Sequence, residues 1–276
     1  MYKIVLLILH DLLKINFMQN TLNIVGIQAN IIWENPQANL ISFKRKIDLL
    51  EGEVDLIILP EMFSTGFTMQ PSLVAERMDG KTIRWMQDLA NTKQVGIVGS
   101  LVIEENQRYF NRALFVHPDG QIQSYDKRHL FSLAGEDKAY CPGNHRVIVE
   151  FKGWRIFPLI CYDIRFPVWS RFVDDYDLLL YMANWPTERI IAWDTLLKAR
   201  AIENMSYCIG VNRVGKDAND YQYNGQSAVY DFLGAQLTTT AKEKEAVLSC
   251  VLNKTQQEEM REKLKFLHDK DKFKIK

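Results

Sequence analysis

Three residues with side chains used in covalent catalysis stand at the ends of predicted strands. Cys161 directly follows the strand predicted at 154–160, and Glu61 and Lys127 end two other predicted strands. A thiol at the point where a strand gives way to a polar turn faces a cavity rather than a packed core. An acid, an amine and a thiol in such positions predict nucleophilic catalysis.

The elements that must position these residues alternate between strand and helix, with antiparallel hairpins interspersed. This order indicates mixed α/β sheets covered by helices on one face. The strands are too apolar for the other face to lie open to water, so we expect a second sheet stacked on the first. The predicted fold is a single-domain, four-layer αββα sandwich. The predicted strands are 22–29, 55–59, 95–103, 109–117, 121–127, 146–151, 154–160, 177–182, 206–212, 227–231, 233–237 and 246–252, and the predicted helices begin near 36, 82, 167, 188 and 256.

Composition restricts the class of protein. The chain has 276 residues, of which 47% are hydrophobic, and 34 basic residues balance 34 acidic ones. This balance argues against a nucleic-acid-binding protein. The four cysteines form no CxxC pair and the five histidines are scattered, so we expect neither a metal nor another cofactor. Reduced thiols favour a cytoplasmic location, and the N-terminal apolar run is too short to span a membrane.

The two ends of the chain are predicted to differ from its middle. Residues 1–17 are expected to be an N-terminal extension, because Met18 precedes the first convincing strand. Residues 18–255 form the predicted catalytic domain. Residues 256–276 are predicted to form a C-terminal helix with a basic tail.

Three short motifs carry a resemblance to a known family. They are 60–63 (Pro-Glu-Met-Phe), 126–131 (Asp-Lys-Arg-His-Leu-Phe) and 161–167 (Cys-Tyr-Asp-Ile-Arg-Phe-Pro). Their Glu, Lys and Cys are separated by 66 (127 − 61) and 34 (161 − 127) residues. In this order they resemble the signature segments of the nitrilase superfamily. The segments at 182–186, 199–204 and 211–215 are similar to its omega-amidase branch.

The resemblance implies an αββα sandwich that pairs as a homodimer, and it assigns roles to four residues. The family's Glu, Lys and Cys correspond to Glu61, Lys127 and Cys161, and a second glutamate to Glu136. Glu61 would take the proton from the thiol, pass it to the departing ammonia and then activate water. Lys127 and the backbone N–H of Tyr162 would donate to the oxyanion. Glu136 would orient Lys127 or assist proton transfer.

The substrate pocket is harder to locate in the sequence. We expect Phe63, Tyr162 and Trp185 to line a compact, partly aromatic cavity. A substrate carboxylate calls for a cation, and arginine presents a planar fork that matches it. The candidate arginines are Arg165, Arg189 and Arg213.

Each of these residues also has an ordinary structural interpretation. A lone cysteine is more often a small buried hydrophobe than a nucleophile, and a lone lysine usually lies on the surface. Glu136 could be a solvated loop acid, and Arg165 could pair with Asp163 or Glu203. Three motifs in order favour catalysis over these interpretations.

The sequence therefore predicts hydrolysis of the side-chain amide of a short dicarboxylic acid monoamide. The expected partners are this small amide and water, with 2-oxoglutaramate and 2-oxosuccinamate as the leading substrates. Hydrolysis of N-carbamoyl amides and thiol-dependent acyl transfer stay open on the same scaffold. Nitrile hydrolysis is less favoured, and a non-enzymatic binding protein is a further alternative from another class.

Overall fold

The architecture comes from a computed structural model that describes residues 20–172, 175–238 and 241–274. The extension predicted at 1–17 lies outside the described residues. The helices are α1 Pro36–Asp48, α2 Lys81–Lys93, α3 Glu136–Ala139, α4 Pro167–Ser170, α5 Ile190–Asn204 and α6 Lys254–Leu264. The strands are β1 Thr21–Gln28, β2 Leu56–Ile58, β3 Gly96–Glu105, β4 Arg108–Val116, β5 Ile122–Asp126, β6 Val149–Phe151, β7 Trp154–Ile160, β8 Leu178–Ala183, β9 Tyr207–Asn212, β10 Val214–Lys216, β11 Gln222–Asn224, β12 Ala228–Tyr230 and β13 Ala246–Asn253.

The first large sheet has six strands in the order β13-β1-β2-β3-β4-β5. Side chains alternate between its two faces, as the pleat of a strand requires. In β2, Ile57 packs towards α1 and α2, where it meets Phe43 and Met86. Its neighbours Leu56 and Ile58 point the other way, into the core shared with the second sheet. Both faces of this sheet are therefore covered.

The second large sheet has five strands in the order β12-β9-β8-β7-β6. Its inner face packs against the first sheet, and α5 covers its outer face through Trp193 and Leu197. The helix approaches β9 closely at Gly210, where an added Cβ would lie 2.5 Å from each of these two side chains. Glycine is required there because no larger residue fits between helix and strand. The predicted four-layer αββα arrangement is confirmed.

One predicted strand differs from the structure, and one hairpin of the structure was not predicted. The segment 233–237 forms no ladder with β12, and only an isolated bridge joins Tyr230 to Gln236. The carboxylate of Asp231 instead accepts hydrogen bonds from the backbone N–H groups of Leu233 and Ala235 and so holds a loop. The short hairpin β10–β11 was not predicted, because its strands have three residues each and a polar sequence joins them.

No helix in the described part of the chain is both long enough and apolar enough to cross a membrane.

Candidate active site

One cavity of about 380 Å³ lies where strands of both large sheets end. It brings together most of the residues singled out by the sequence. Its lining includes Lys127, Cys161, Tyr162, Arg165, Trp185 and Arg189. Such a volume suits a small molecule.

Cys161 is presented to this cavity by a strained turn. It directly follows β7 and opens the 3₁₀ turn Cys161–Arg165 with a φ of +44°, in the left-handed region that a side chain seldom adopts. The buried carboxylate of Asp163 holds this turn. It accepts hydrogen bonds from the N–H of Ile160 (3.1 Å), the hydroxyl of Tyr125 (2.8 Å) and the N–H of His129 (3.0 Å). Strain supported in this way is common at functional sites.

Lys127 follows β5 and is fully buried between two carboxylates. Its Nζ lies 2.8 Å from Oε1 of Glu61 and 2.9 Å from each carboxylate oxygen of Glu136. Burial alone would lower the pKa of Lys127, but the charges of Glu136 and Glu61 outweigh it and raise this pKa well above its usual range. The amine is therefore a fixed positive charge.

Glu136 is also fully buried and is surrounded by donors. Besides Lys127, the N–H of Phe131 donates to its Oε2 (2.6 Å) and Nδ2 of Asn111 donates to its Oε1 (3.2 Å). Burial raises its pKa, while the ammonium of Lys127 opposes that rise. Because each contact comes from a donor, the geometry favours a charged carboxylate that holds Lys127 in place.

Glu61 is the second carboxylate that binds Lys127, and it also interacts with the thiol of Cys161. Its Oε1 accepts from Lys127 and Asn111, both at 2.8 Å, and its Oε2 accepts from the N–H of Asn184 at 2.9 Å. Burial, followed by the negative charge of Glu61, raises the pKa of the Cys161 thiol well above its ordinary value. The resting thiol is therefore protonated, and a base must remove its proton during the attack.

Two predicted arginines lie in the lining and rest on aromatic rings. The guanidinium of Arg165 lies 4.9 Å from the ring centre of Trp185, and that of Arg189 lies 5.1 Å from the ring centre of Phe131. Neither makes an ion pair with a carboxylate among the residues that the structure describes. Stacking of this kind holds a guanidinium plane while leaving its edge free to donate.

The alternative partners considered for Arg165 are occupied by other residues. Asp163 accepts from His129, and Glu203 forms an ion pair with Arg200 at 2.9 Å. The third candidate, Arg213, is fully buried and is not among the residues that line the cavity. Its guanidinium donates to the carbonyl of Ile31 and lies 4.6 Å from the ring centre of Tyr223. Arg213 therefore supports the cavity wall from behind.

The prediction that Phe63 lines the pocket is wrong. The chain turns sharply at Met62, whose φ is +44°, and this turn directs Phe63 to the helix-covered face of the first sheet. There its ring meets those of Phe43 (5.5 Å between centres) and Trp85 (6.0 Å). Phe67 takes the expected place, with its ring centre 5.1 Å from Nζ of Lys127.

Several residues at the site were not found from the sequence. Asn111 and Asn184 both bind Glu61. In the sequence, Asn111 could be noticed only as a polar residue inside an apolar strand, and Asn184 only as part of the motif at 182–186. The hairpin β10–β11 and its turn also contribute to the lining. The lining residues from this hairpin are Asp217, Asn219, Tyr221 and Tyr223.

Taken together, the site places a thiol, a neighbouring carboxylate and a fixed cation at the edge of one cavity. Within the described ranges, no group of three or more His, Cys, Asp or Glu side chains is arranged to hold a metal ion.

Comparison with known proteins identifies the family of this chain. The family model described as carbon-nitrogen hydrolase matches residues 25–261. The omega-amidase YafV of Escherichia coli (strain K12) is 42% identical over 254 residues, which cover 92% of this chain and 98% of that protein. The 2-oxoglutaramate amidase of Bacillus subtilis (strain 168) is 30% identical over 248 residues, covering 88% and 95% respectively.

A solved structure gives the same result for the fold. XC1258 from Xanthomonas campestris, a CN-hydrolase superfamily protein described with an arsenic adduct in the active site, superposes with a TM-score of 0.90 at 40% identity. The match covers 94% of this chain and 100% of XC1258. The chain belongs to the carbon-nitrogen hydrolase family, as its three motifs predict.

Proposed function

We propose that this chain is an omega-amidase, a hydrolase that releases ammonia from the terminal amide of a short dicarboxylic acid monoamide. The proposed substrates are 2-oxoglutaramate and 2-oxosuccinamate, and the products are the 2-oxo diacid and ammonia. The observation that carries the proposal is the ammonium of Lys127, which is buried between Glu61 and Glu136 at the edge of the cavity that Cys161 faces. The two relatives named as omega-amidase and 2-oxoglutaramate amidase support this choice of reaction.

In the proposed first half-reaction, Sγ of Cys161 attacks the amide carbon while the thiol proton passes to Glu61. The carbonyl electron pair moves to oxygen, and this oxyanion accepts hydrogen bonds from Lys127 and the backbone N–H of Tyr162. Removal of one such donor typically costs about 10²- to 10³-fold in rate. When the intermediate collapses, the C–N bond breaks, Glu61 returns its proton to nitrogen, and ammonia leaves a thioester on Cys161.

The second half-reaction regenerates the thiol. Water attacks the thioester while Glu61 accepts a proton from it, and the C–S bond then breaks as that proton returns to sulfur. Glu61 therefore shuttles one proton in each half. Glu136 takes no proton in this scheme, because the donors around it favour its charged form. Its proposed role is to fix Nζ of Lys127.

The proposed substrate end of the cavity is positive. Arg165 and Arg189 lie in the lining and are supported by rings, so their N–H groups can bind the carboxylate that a monoamide carries opposite its amide. Trp185 provides the platform for Arg165, and its Nε1 also donates to the carbonyl of Arg189 at 2.8 Å. The two arginines are thus linked through one aromatic side chain.

The proposal extends to the state and location of the protein. We infer that the chain acts as a homodimer in the cytoplasm, on the basis of the family resemblance and of cysteines that are all free in the structure. Sedimentation equilibrium of the purified protein tests the dimer, and a monomer at micromolar concentration would contradict it.

The test of function is ammonia release from 2-oxoglutaramate, measured for the wild type and for Cys161→Ala. The matched control is Cys208→Ala, because Cys208 is also a buried cysteine, on β9, but lies outside the cavity lining. We expect Cys161→Ala to lose at least about 10⁴-fold in turnover and the control to retain activity. Undiminished turnover in Cys161→Ala would refute the nucleophile.

A panel of substrates separates the alternatives that share this thioester chemistry. It contains 2-oxosuccinamate, an N-carbamoyl amine, a nitrile, and 2-oxoglutaramate with an added amine acceptor. We expect the two oxo-amides to have the highest kcat/KM. A higher kcat/KM for the N-carbamoyl amine, or acyl transfer faster than hydrolysis, would replace omega-amidase with the corresponding activity.

A further inference from the structure

Asn111 lies on β4, fully buried beneath the three charged groups of the site. The mechanism proposed above gives it no part in the chemistry. Its backbone carbonyl accepts a hydrogen bond from the N–H of Lys127 at 3.0 Å, so it lies directly beside the catalytic cluster. A buried amide in such a place must have a partner for each polar group, because an unpaired one is costly.

The side chain of Asn111 bridges the two carboxylates. Its Nδ2 donates to Oε1 of Glu61 (2.8 Å) and to Oε1 of Glu136 (3.2 Å). Its Oδ1 accepts from the hydroxyl of Ser100 at 2.9 Å, which fixes the orientation of the amide with its N–H groups towards the acids. Ser100 in turn accepts from the N–H of Met62 at 2.9 Å. The bridge is therefore tied to the turn that follows Glu61.

We propose that Asn111, oriented by Ser100, is a positioning residue for the general base Glu61. This inference rests on the amidase mechanism proposed above. By occupying Oε1 together with Lys127, the amide of Asn111 leaves Oε2 as the oxygen that exchanges a proton with Cys161. Oε2 has one short donor, the N–H of Asn184 at 2.9 Å, and a longer contact of 3.4 Å from Nδ2 of the same residue, whereas Oε1 has two donors at 2.8 Å. Oε2 is therefore the less occupied oxygen.

The charges of the cluster explain why a neutral donor is needed. Two buried carboxylates face one ammonium, so the cluster carries an excess negative charge that water does not screen. An amide that donates to both acids stabilises their charged forms without adding a proton that could be lost.

The test compares Asn111→Ala with wild type in steady-state hydrolysis of 2-oxoglutaramate as a function of pH. We expect kcat to fall about 10- to 100-fold with KM changed less than about twofold, because a displaced base slows the chemical step. We also expect the acid limb of the pH–rate profile to move to higher pH, because Glu61 loses a donor that favours its charged form. Ser100→Ala should move both quantities in the same direction by a smaller amount.

The matched control is Asn204→Ala, because Asn204 is equally buried but is the last residue of α5, where its Oδ1 accepts from the N–H of Phe172. We expect the control to lose stability without a change in kcat or in the pH profile. A folded Asn111→Ala with wild-type kcat, or with reduced kcat and an unshifted acid limb, would overturn the proposal. If Asn111→Ala does not fold, the same criteria apply to Ser100→Ala.

A measurement without substrate separates this inference from the proposed function. Iodoacetamide alkylation of Cys161, followed on its peptide by mass spectrometry, reports the fraction of thiolate. Loss of a donor to Glu61 shifts the shared proton from sulfur to the carboxylate, so we expect faster alkylation in Asn111→Ala. An unchanged alkylation rate would count against the positioning role, whether or not the wild type hydrolyses an amide. Failure of the wild type to hydrolyse 2-oxoglutaramate would refute the omega-amidase assignment alone.

Discussion

The floor and the rim of the cavity are built in different ways. The floor, defined here as Glu61, Lys127, Glu136 and Asn111, is fully buried, and each of its two carboxylates accepts hydrogen bonds from both Lys127 and Asn111. The rim, defined as Arg165, Arg189 and Tyr221, is partly exposed. Its arginines are supported by ring stacking rather than by ion pairs.

This difference suggests that the floor carries out the chemical step and that the rim selects the substrate. Charges fixed in a buried site act strongly on a transition state, and a small displacement of one of them is costly. Partly exposed groups act mainly on binding, where water competes for the same contacts. The floor should therefore control kcat, and the rim should control KM.

The largest expected effect is that of Glu61→Gln on the floor. We expect turnover to fall at least about 10³-fold, because the variant has no base for the thiol proton. The negative charge of Glu61 raises the pKa of Cys161, so the same variant should react faster with iodoacetamide. Ammonia release and peptide mass spectrometry measure these opposite changes.

Glu150→Gln is the control for this prediction, because Glu150 is exposed on β6 and lies outside the cavity lining. Turnover above a tenth of the wild-type value in Glu61→Gln would remove Glu61 from the role of base. Slower alkylation would contradict the proposed electrostatic coupling between acid and thiol.

A smaller effect is expected at the rim from Arg165→Lys and Arg189→Lys. Each should lower kcat/KM for 2-oxoglutaramate about 10- to 100-fold through KM, because lysine cannot reproduce the planar contact with a carboxylate. Butyramide, which has no carboxylate, serves as the matched substrate and should be almost unaffected. An equal loss with both amides would show that these arginines do not recognise the acid group.

Tyr221→Ala should weaken substrate binding less than the two arginine variants do. Tyr221 lines the cavity from the turn of the β10–β11 hairpin and is 46% exposed, so its loss removes only part of an aromatic contact. We expect KM for 2-oxoglutaramate to rise about two- to tenfold with kcat retained. A large fall in kcat would mean that the hairpin belongs functionally to the floor.

The smallest expected change concerns alkaline pH. The neighbouring carboxylates raise the pKa of Lys127 well above its usual range, so its ammonium should persist through the alkaline range in which a free lysine titrates. We expect kcat/KM to stay within about twofold between roughly pH 8 and 10. A fall in kcat/KM with its midpoint inside this interval, present in the wild type but absent in a Lys127→Arg variant, would contradict a fixed charge on Lys127.

The floor could be predicted from sequence far better than the rim. Glu61, Lys127 and Cys161 each come soon after a strand, and the stacking of the two large sheets brings these strand ends to one site. Glu136 begins the four-residue helix α3, which gives no clear signal in the sequence, and it could be assigned only through the family resemblance. Asn111 left a visible signal, a polar residue within a buried strand, whose partner could not be known before the fold.

The rim depends on geometry that composition does not encode. Phe63 was assigned to the cavity although the left-handed turn at Met62 sends its ring into the core. The β10–β11 hairpin has strands of three residues and a polar turn, which give no periodic signal. Asp217 organises that turn by accepting from the N–H groups of Asn219 and Tyr221, a contact that only the folded chain reveals.

The central claim is that Cys161 forms a thioester with the acyl part of the substrate. Its most direct test is rapid acid quenching of the protein mixed with 2-oxoglutaramate, followed by mass spectrometry of the intact chain and its peptides. We expect an added mass equal to the acyl group on the Cys161 peptide, formed during turnover and absent in Cys161→Ala. Continued ammonia release by Cys161→Ala, with no adduct on the wild type, would contradict covalent catalysis by this residue.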